Sequence, residues 1–130
     1  MSPTANRNET QLQLRLPAQP EAVAVVRECV SDFVRGLGFA DADEIVVAAC
    51  QMSANAVLHA YPEHRDDSEF EVNAEFEHGC LRLEVTEYDA GEARGLGLGL
   101  RLVERAADDV SVSRRPEGGT RVEARFDRAA

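Results

Sequence analysis

The strongest constraint on the fold of this chain is a change of period along it. Between Pro20 and Pro62 apolar residues recur every three or four positions, whereas on either side they alternate every second residue. Val26, Cys29, Val30, Phe33, Val34 and Leu37 form one helical face, which opens at Pro20 and ends at the glycines of RGLGF. Asp41, with Glu44 three residues on, has the spacing of a capping box. A second helix is therefore predicted from about Ala42 to Ala60, stopping before Pro62. Upstream, Leu12, Leu14 and Leu16 alternate with polar residues as in a half-buried strand.

Downstream of the polar stretch PEHRDDSE, Phe70, Val72, Ala74 and Phe76 alternate, then a short EHG turn leads to Leu81, Leu83 and Val85. The glycine-dense EYDAGEARGLGLGL opens a third helix, predicted through about Ala107. Val110 to Ser113 and Thr120 to Phe126 read as a last strand pair. The order β-α-α-β-β-α-β-β, with strands mostly joined as hairpins, predicts an α+β two-layer sandwich. Its helices would lie on one face of a mixed, mostly antiparallel sheet. Residues 1–9 are polar and predicted to be a flexible terminus, and 10–128 a single domain, the default for 130 residues of which 44% are hydrophobic.

Charge narrows the partners. A formal net charge of -10 opposes nucleic acid and anionic membrane surfaces, which repel such a chain at long range. All 14 basic residues are arginine, so any phosphate contact uses a guanidinium fork or main-chain amides rather than a P-loop ammonium, and no GxxxxGK[ST] occurs. Cys29, Cys50 and Cys80 sit in apolar runs, as reduced, buried thiols would. The N-terminus lacks the apolar core of a secretory signal, and no apolar run reaches the roughly 18 residues of a membrane span. The expectation is a cytoplasmic protein.

Three stretches carry candidate chemistry. In QMSANAVLHAY, Gln51, Asn55 and His59 stand four residues apart and share one face of the second helix. Such a polar row faces water, a partner or a ligand. Gly95, Gly97 and Gly99 alternate with leucine just before the third helix, where free amides favour an anion, though a flexible turn has the same composition. Gly118, Gly119 and Thr120 enter the last strand as a hairpin turn does.

In that order, these elements resemble the GHKL nucleotide-binding fold of gyrase-type ATPases, heat-shock chaperones and histidine kinases. Within it they resemble the bacterial anti-sigma-factor serine kinases of RsbW type. The resemblance runs from about Leu12 to Phe126 and rests chiefly on NAVLHAY, GLGLRLVERAADDVSV and GGT. It implies ATP and magnesium as cofactors, Asn55 as the metal ligand, and Glu87, Asp89, Gly91, Gly97, Gly99 and Thr120 as nucleotide-binding residues. It also implies a sigma factor or an anti-anti-sigma (STAS-domain) antagonist as partner, with Arg27 at a partner-contacting position that equally suits a solvated helix face, and homodimers as a common state. An asparagine carbonyl suits magnesium, which keeps several waters and takes other ligands from phosphates.

The chain departs from the family pattern in three places. Gln51 stands where the active kinases carry the glutamate that acts as general base, and an amide cannot accept a proton at physiological pH. Glu87 and Asp89 replace an aspartate and a glycine of the loop that reads adenine, leaving Gly91 unchanged. Only the five residues EARGL separate Gly91 from Gly97, where the family has a longer lid. The leading expectation is an anti-sigma-like regulator acting by protein binding, with weak or absent kinase activity. An active serine kinase that tolerates Gln51, and a nucleotide-free adaptor, are the alternatives.

Overall fold

The structure, a computed structural model, describes residues 4–59, 68–88 and 98–128. Among these described residues, three helices, α1 (Glu21–Gly36), α2 (Ala42–His59) and α3 (Leu98–Ala106), pack on a sheet of six strands. The strands are β1 (Thr4–Arg7), β2 (Gln11–Pro17), β3 (Glu69–Glu77), β4 (Cys80–Glu87), β5 (Asp109–Arg114) and β6 (Thr120–Asp127), in the spatial order β1-β2-β3-β4-β6-β5. All five pairings are antiparallel, so the mixed sheet that the strand order predicts contains no parallel pair among the described residues. The reason is topological: β6 folds back beside β4 and leaves β5 on the edge, so each neighbour runs opposite to the next.

Local chemistry explains the element ends. Pro20 sits at the N-cap of α1 with φ −54°, already helical, and Glu21 and Arg35 place charges that complement the helix dipole. At the other end Gly38 takes φ +81°, its N–H donating to Arg35 C=O (3.1 Å), while the Phe39 N–H reaches Val34 C=O (3.4 Å). That pair of bonds is a Schellman closure, which requires the left-handed conformation glycine adopts freely. The next helix starts at once: Asp41 C=O accepts the first helical bond of α2 from Ile45 N–H (3.1 Å). His78 (φ 53°) and Gly79 (φ 76°) make the two-residue β3–β4 turn, both positive as a type I′ hairpin demands.

The sheet buries one face. Across β2, β3, β4 and β6 the register aligns Leu12, Ala74, Leu83 and Ala124, then Leu14, Val72, Val85 and Val122, all buried under the helices. Phe33, Val30 and Val26 of α1, Ile45 and Met52 of α2, and Leu100 and Val103 of α3 meet them. Each large side chain so buried stabilises the fold by about 1.5–3 kcal/mol before entropy is subtracted. The opposite face presents Arg15, Glu71, Glu75, Arg82, Glu84 and Arg121 to water, joined in ion pairs of 2.9–3.4 Å. An antiparallel sheet with one wet face is the usual result of such alternation.

The terminus differs from expectation. Where polar composition predicts a flexible terminus over residues 1–9, Thr4–Arg7 forms an edge strand on β2, with Thr4 opposite Arg15 and Arg7 opposite Leu12. All four residues are exposed, so apolar burial does not hold them. Instead the Asn8 side chain accepts hydrogen bonds from Thr10 N–H (2.9 Å) and Gln11 N–H (2.8 Å), turning the chain back. Arg7 lies 5.7 Å from the Phe33 ring and donates to Asp32 C=O. The three cysteines are free but half-buried rather than buried, and burial pushes the Cys29 and Cys50 thiols up. No helix among the described residues is long and apolar enough to cross a membrane.

Candidate functional site

Helix α2 is buried over most of its circumference, which makes its polar residues informative. Gln51 and Asn55 are half-buried and lie one above the other; the side chain of His59, next in the row, is outside the described residues. The Asn55 Nδ2 atom is shut off from solvent yet has no hydrogen-bond partner among the described residues, and neither has Ser53 Oγ on the same helix. An unpaired buried polar group costs about 1–3 kcal/mol, a cost that persists where the group serves a bound ligand.

A second pair comes from the sheet. Glu87 ends β4 and Thr120 begins β6, and the register sets them directly opposite each other. They continue the row Leu16–Phe70–Glu87–Thr120 on the helix-covered face, so a carboxylate (7% exposed) and a hydroxyl-bearing residue (3% exposed) occupy positions that are apolar in the rows beside them. Gly119 allows this closeness. It has φ +97°, and a Cβ there would stand 1.9 Å from the Glu87 carbonyl oxygen. Only a residue without a side chain lets the β5–β6 hairpin settle on the end of β4.

The remaining predicted site residues are distributed unevenly. Gly99 falls in the first turn of α3, where main-chain N–H groups have no intrahelical acceptor. Asp89, Gly91 and Gly97 lie outside the described residues. Arg27 is exposed on α1, in a groove with Glu28, Asp32 and Arg35 that Asp43, Val46 and Val47 close from α2. Val46 and Asn55 are nine residues apart, so at 3.6 residues per turn they point to opposite sides of α2. The Arg27 groove is therefore on the other flank of α2 from Asn55.

The described residues contain no cluster of three or more histidine, cysteine or acidic side chains able to hold a metal ion. A cation here needs ligands brought by its own partner anion, and one neutral asparagine amide is consistent with that limited demand. Ser53 and Tyr88 escaped the sequence reading. Ser53 is fully buried and could have been found from its place on the apolar arc of α2, three residues before Ala56. Tyr88 follows Glu87, so the alternation of β4 directs it to the water-facing side of the sheet.

Comparison with known proteins places the chain in a family and supports its fold. The histidine kinase-like ATPase domain family matches residues 16–126. The serine-protein kinase RsbW of Bacillus velezensis is 29% identical over 125 residues, spanning 78% of this chain and 76% of the relative. RsbW of Bacillus subtilis (strain 168) is 29% identical over 129 residues, with 81% and 79% covered. Among solved structures, the RsbU and RsbW domains of Rv1364c from Mycobacterium tuberculosis superpose with a TM-score of 0.74 at 22% identity, over 90% of this chain. This chain spans 32% of that longer one, so the likeness concerns the fold. With helices packed on an antiparallel sheet, and a family match over most of its length, the chain belongs to the histidine kinase-like ATPase domain family.

Proposed function

We propose that this protein is a regulator of the anti-sigma type, which controls transcription by binding a sigma factor or a STAS-domain antagonist and transfers phosphate slowly or not at all. The observation that carries this reading is Gln51, half-buried on α2 one turn before Asn55. An amide at that position can orient a water or a serine hydroxyl but cannot take its proton, and a general base contributes about 10²- to 10⁴-fold to such a step. Relatives named serine-protein kinases support the phosphotransfer ancestry. Partner binding would use the surface around Arg27, on the opposite flank of α2, and the family resemblance implies that two copies would pair.

Retained nucleotide binding is supported by a separate observation. The Asn55 Nδ2, which has no acceptor among the described residues, fits a phosphate oxygen or a metal-bound water, and the apposed Glu87 and Thr120 fit an adenine base. Asn55 would hold the metal through its amide oxygen, Glu87 and Thr120 the base, and Gly99 would donate its main-chain N–H to the phosphates; Asp89, Gly91 and Gly97 are further nucleotide contacts by resemblance alone. Bound magnesium would neutralise phosphate charge. Glu87 keeps the carboxylate that accepts from an exocyclic amine, so a kinase that tolerates Gln51 is the second reading.

Two measurements separate the readings. Titration of ATP–Mg into the protein by calorimetry should give binding that Asn55→Ala abolishes; no binding to the unaltered chain would leave a nucleotide-free adaptor. Incubation with labelled ATP and a STAS-domain partner should give little phosphoserine, rising about 100-fold or more in Gln51→Glu. Rapid transfer by the unaltered chain would overturn the leading reading in favour of the kinase.

A further inference from the structure

Behind Glu87, on the wet side of the sheet, a stacked cluster joins three separate parts of the fold. Two guanidiniums lie over the Tyr88 ring, that of Arg115 at 4.5 Å and that of Arg15 at 5.7 Å from its centroid. The Tyr88 hydroxyl donates to the Glu71 carboxylate, which also takes Arg15 at 2.9 Å. Arg115 belongs to the β5–β6 hairpin. Its Nη1 donates to Gly118 C=O (2.8 Å), its Nη2 pairs with Glu117 (2.9 Å), and its main-chain N–H donates to Gly119 C=O (3.0 Å). Although in a turn, the Arg115 side chain is only 17% exposed.

The consequence follows from adjacency. Glu87 and Tyr88 are consecutive, and Thr120 directly follows the glycines that Arg115 holds. Gly119 rests on the Glu87 main chain, so a hairpin free to rock would carry Thr120 away from Glu87. Ring stacking on a partly desolvated guanidinium resists that motion more than a lone surface ion pair does. Glu71 and Arg15, on β3 and β2, fix the ring from the other side.

We propose that Tyr88 is a positioning residue: through Arg115 it clamps the β5–β6 hairpin against β4 and sets the Glu87–Thr120 spacing that selects the base of a bound nucleotide. This rests on the nucleotide reading above. The clamp acts on the base-reading pair and not on Asn55 or the start of α3, so it governs selectivity between bases more than affinity for phosphates.

The test compares ATP–Mg and GTP–Mg binding by calorimetry with amide hydrogen exchange of the nucleotide-free chain. Tyr88→Ala should weaken ATP–Mg about tenfold and GTP–Mg little, collapsing the preference for adenine. It should also speed exchange at Gly118, Gly119 and Thr120 while leaving the turn at Gly79 unchanged. Tyr88→Phe, which keeps the stacked ring, should restore most of both effects, and Arg115→Ala should reproduce the loss even if Tyr88→Ala fails to fold. Equal weakening of both nucleotides, or an unaltered ATP–Mg affinity, overturns the proposal. If the unaltered chain binds neither nucleotide, the nucleotide reading fails and exchange alone decides. Faster exchange confined to the hairpin then upholds the clamp, and unchanged exchange overturns it.

Discussion

Two glycines with positive φ offer a controlled measurement of how tightly the β5–β6 hairpin seats on β4. Gly79 (φ +76°) has no heavy atom within 4 Å of where a Cβ would be, whereas at Gly119 (φ +97°) that Cβ meets Glu87 O at 1.9 Å, Glu87 C at 2.8 Å and Tyr88 Cα at 3.0 Å. Gly79→Ala therefore carries only the conformational cost of a left-handed alanine, about 1–2 kcal/mol, less up to ~1 kcal/mol from a less entropic unfolded chain. Gly119→Ala carries the same cost plus a collision with main-chain atoms that no rotamer change relieves. The hairpin must move about 1 Å, given the ~3 Å minimum for such contacts, and Thr120 is drawn away from Glu87. Losing one ladder hydrogen bond and part of the local packing adds about 2 kcal/mol. The expected totals are about 1 kcal/mol for Gly79→Ala and about 3–4 kcal/mol for Gly119→Ala. Urea unfolding followed by far-ultraviolet circular dichroism reads both, with the slope m unchanged. In a melt the second change should lower Tm by about 10 °C or more. A difference under about 1 kcal/mol between the two would refute the close seating of the hairpin, and with it the basis for placing Thr120 beside Glu87.

Other consequences are open to simple measurement. Because Asn55 Nδ2 and Ser53 Oγ have no partners to lose among the described residues, Asn55→Ala and Ser53→Ala should leave urea stability unchanged or raise it by up to about 1 kcal/mol, and a loss above about 1 kcal/mol would contradict their unpaired state. Burial, then the bond to Glu71, pushes the Tyr88 phenol up, and burial pushes the Cys29 and Cys50 thiols up. Such groups keep their protons after the unfolded chain has released them, so their contribution is complete at neutral pH and is lost as pH rises from about 8.5 through 10 and above. The urea midpoint should hold between about pH 7 and 8 and decline beyond; replacing Cys29 and Cys50 by alanine should remove the earlier part of the decline, and a flat profile would refute it. Arg7→Ala should speed amide exchange over residues 4–7 while changing global stability by no more than about 1 kcal/mol, since β1 is exposed on every residue.

Much of this architecture is written locally. The heptad-like face of α1, its glycine closure at Gly38, the start of α2 at Asp41 and the His78–Gly79 turn each depend on residues within one or two turns of chain, so periodicity and turn chemistry reveal them. The identity of Gln51 is of the same kind, because the proton-accepting power of a side chain needs no coordinates. β1 was hidden since its polar residues acquire strand structure only from the ladder β2 offers and from Arg7 reaching Phe33 on α1. Pairing of β4 with β6, which joins residues more than thirty positions apart, is set by which apolar faces can be covered together. From that pairing alone come the Glu87–Thr120 apposition, the closeness that makes Gly119 obligatory, and the stacking of Arg115 on Tyr88. Sequence by itself determined the elements and the chemistry each could offer, because both are short-range properties; tertiary structure decided which of those groups face one another, because register between distant strands depends on the packing of the whole sheet.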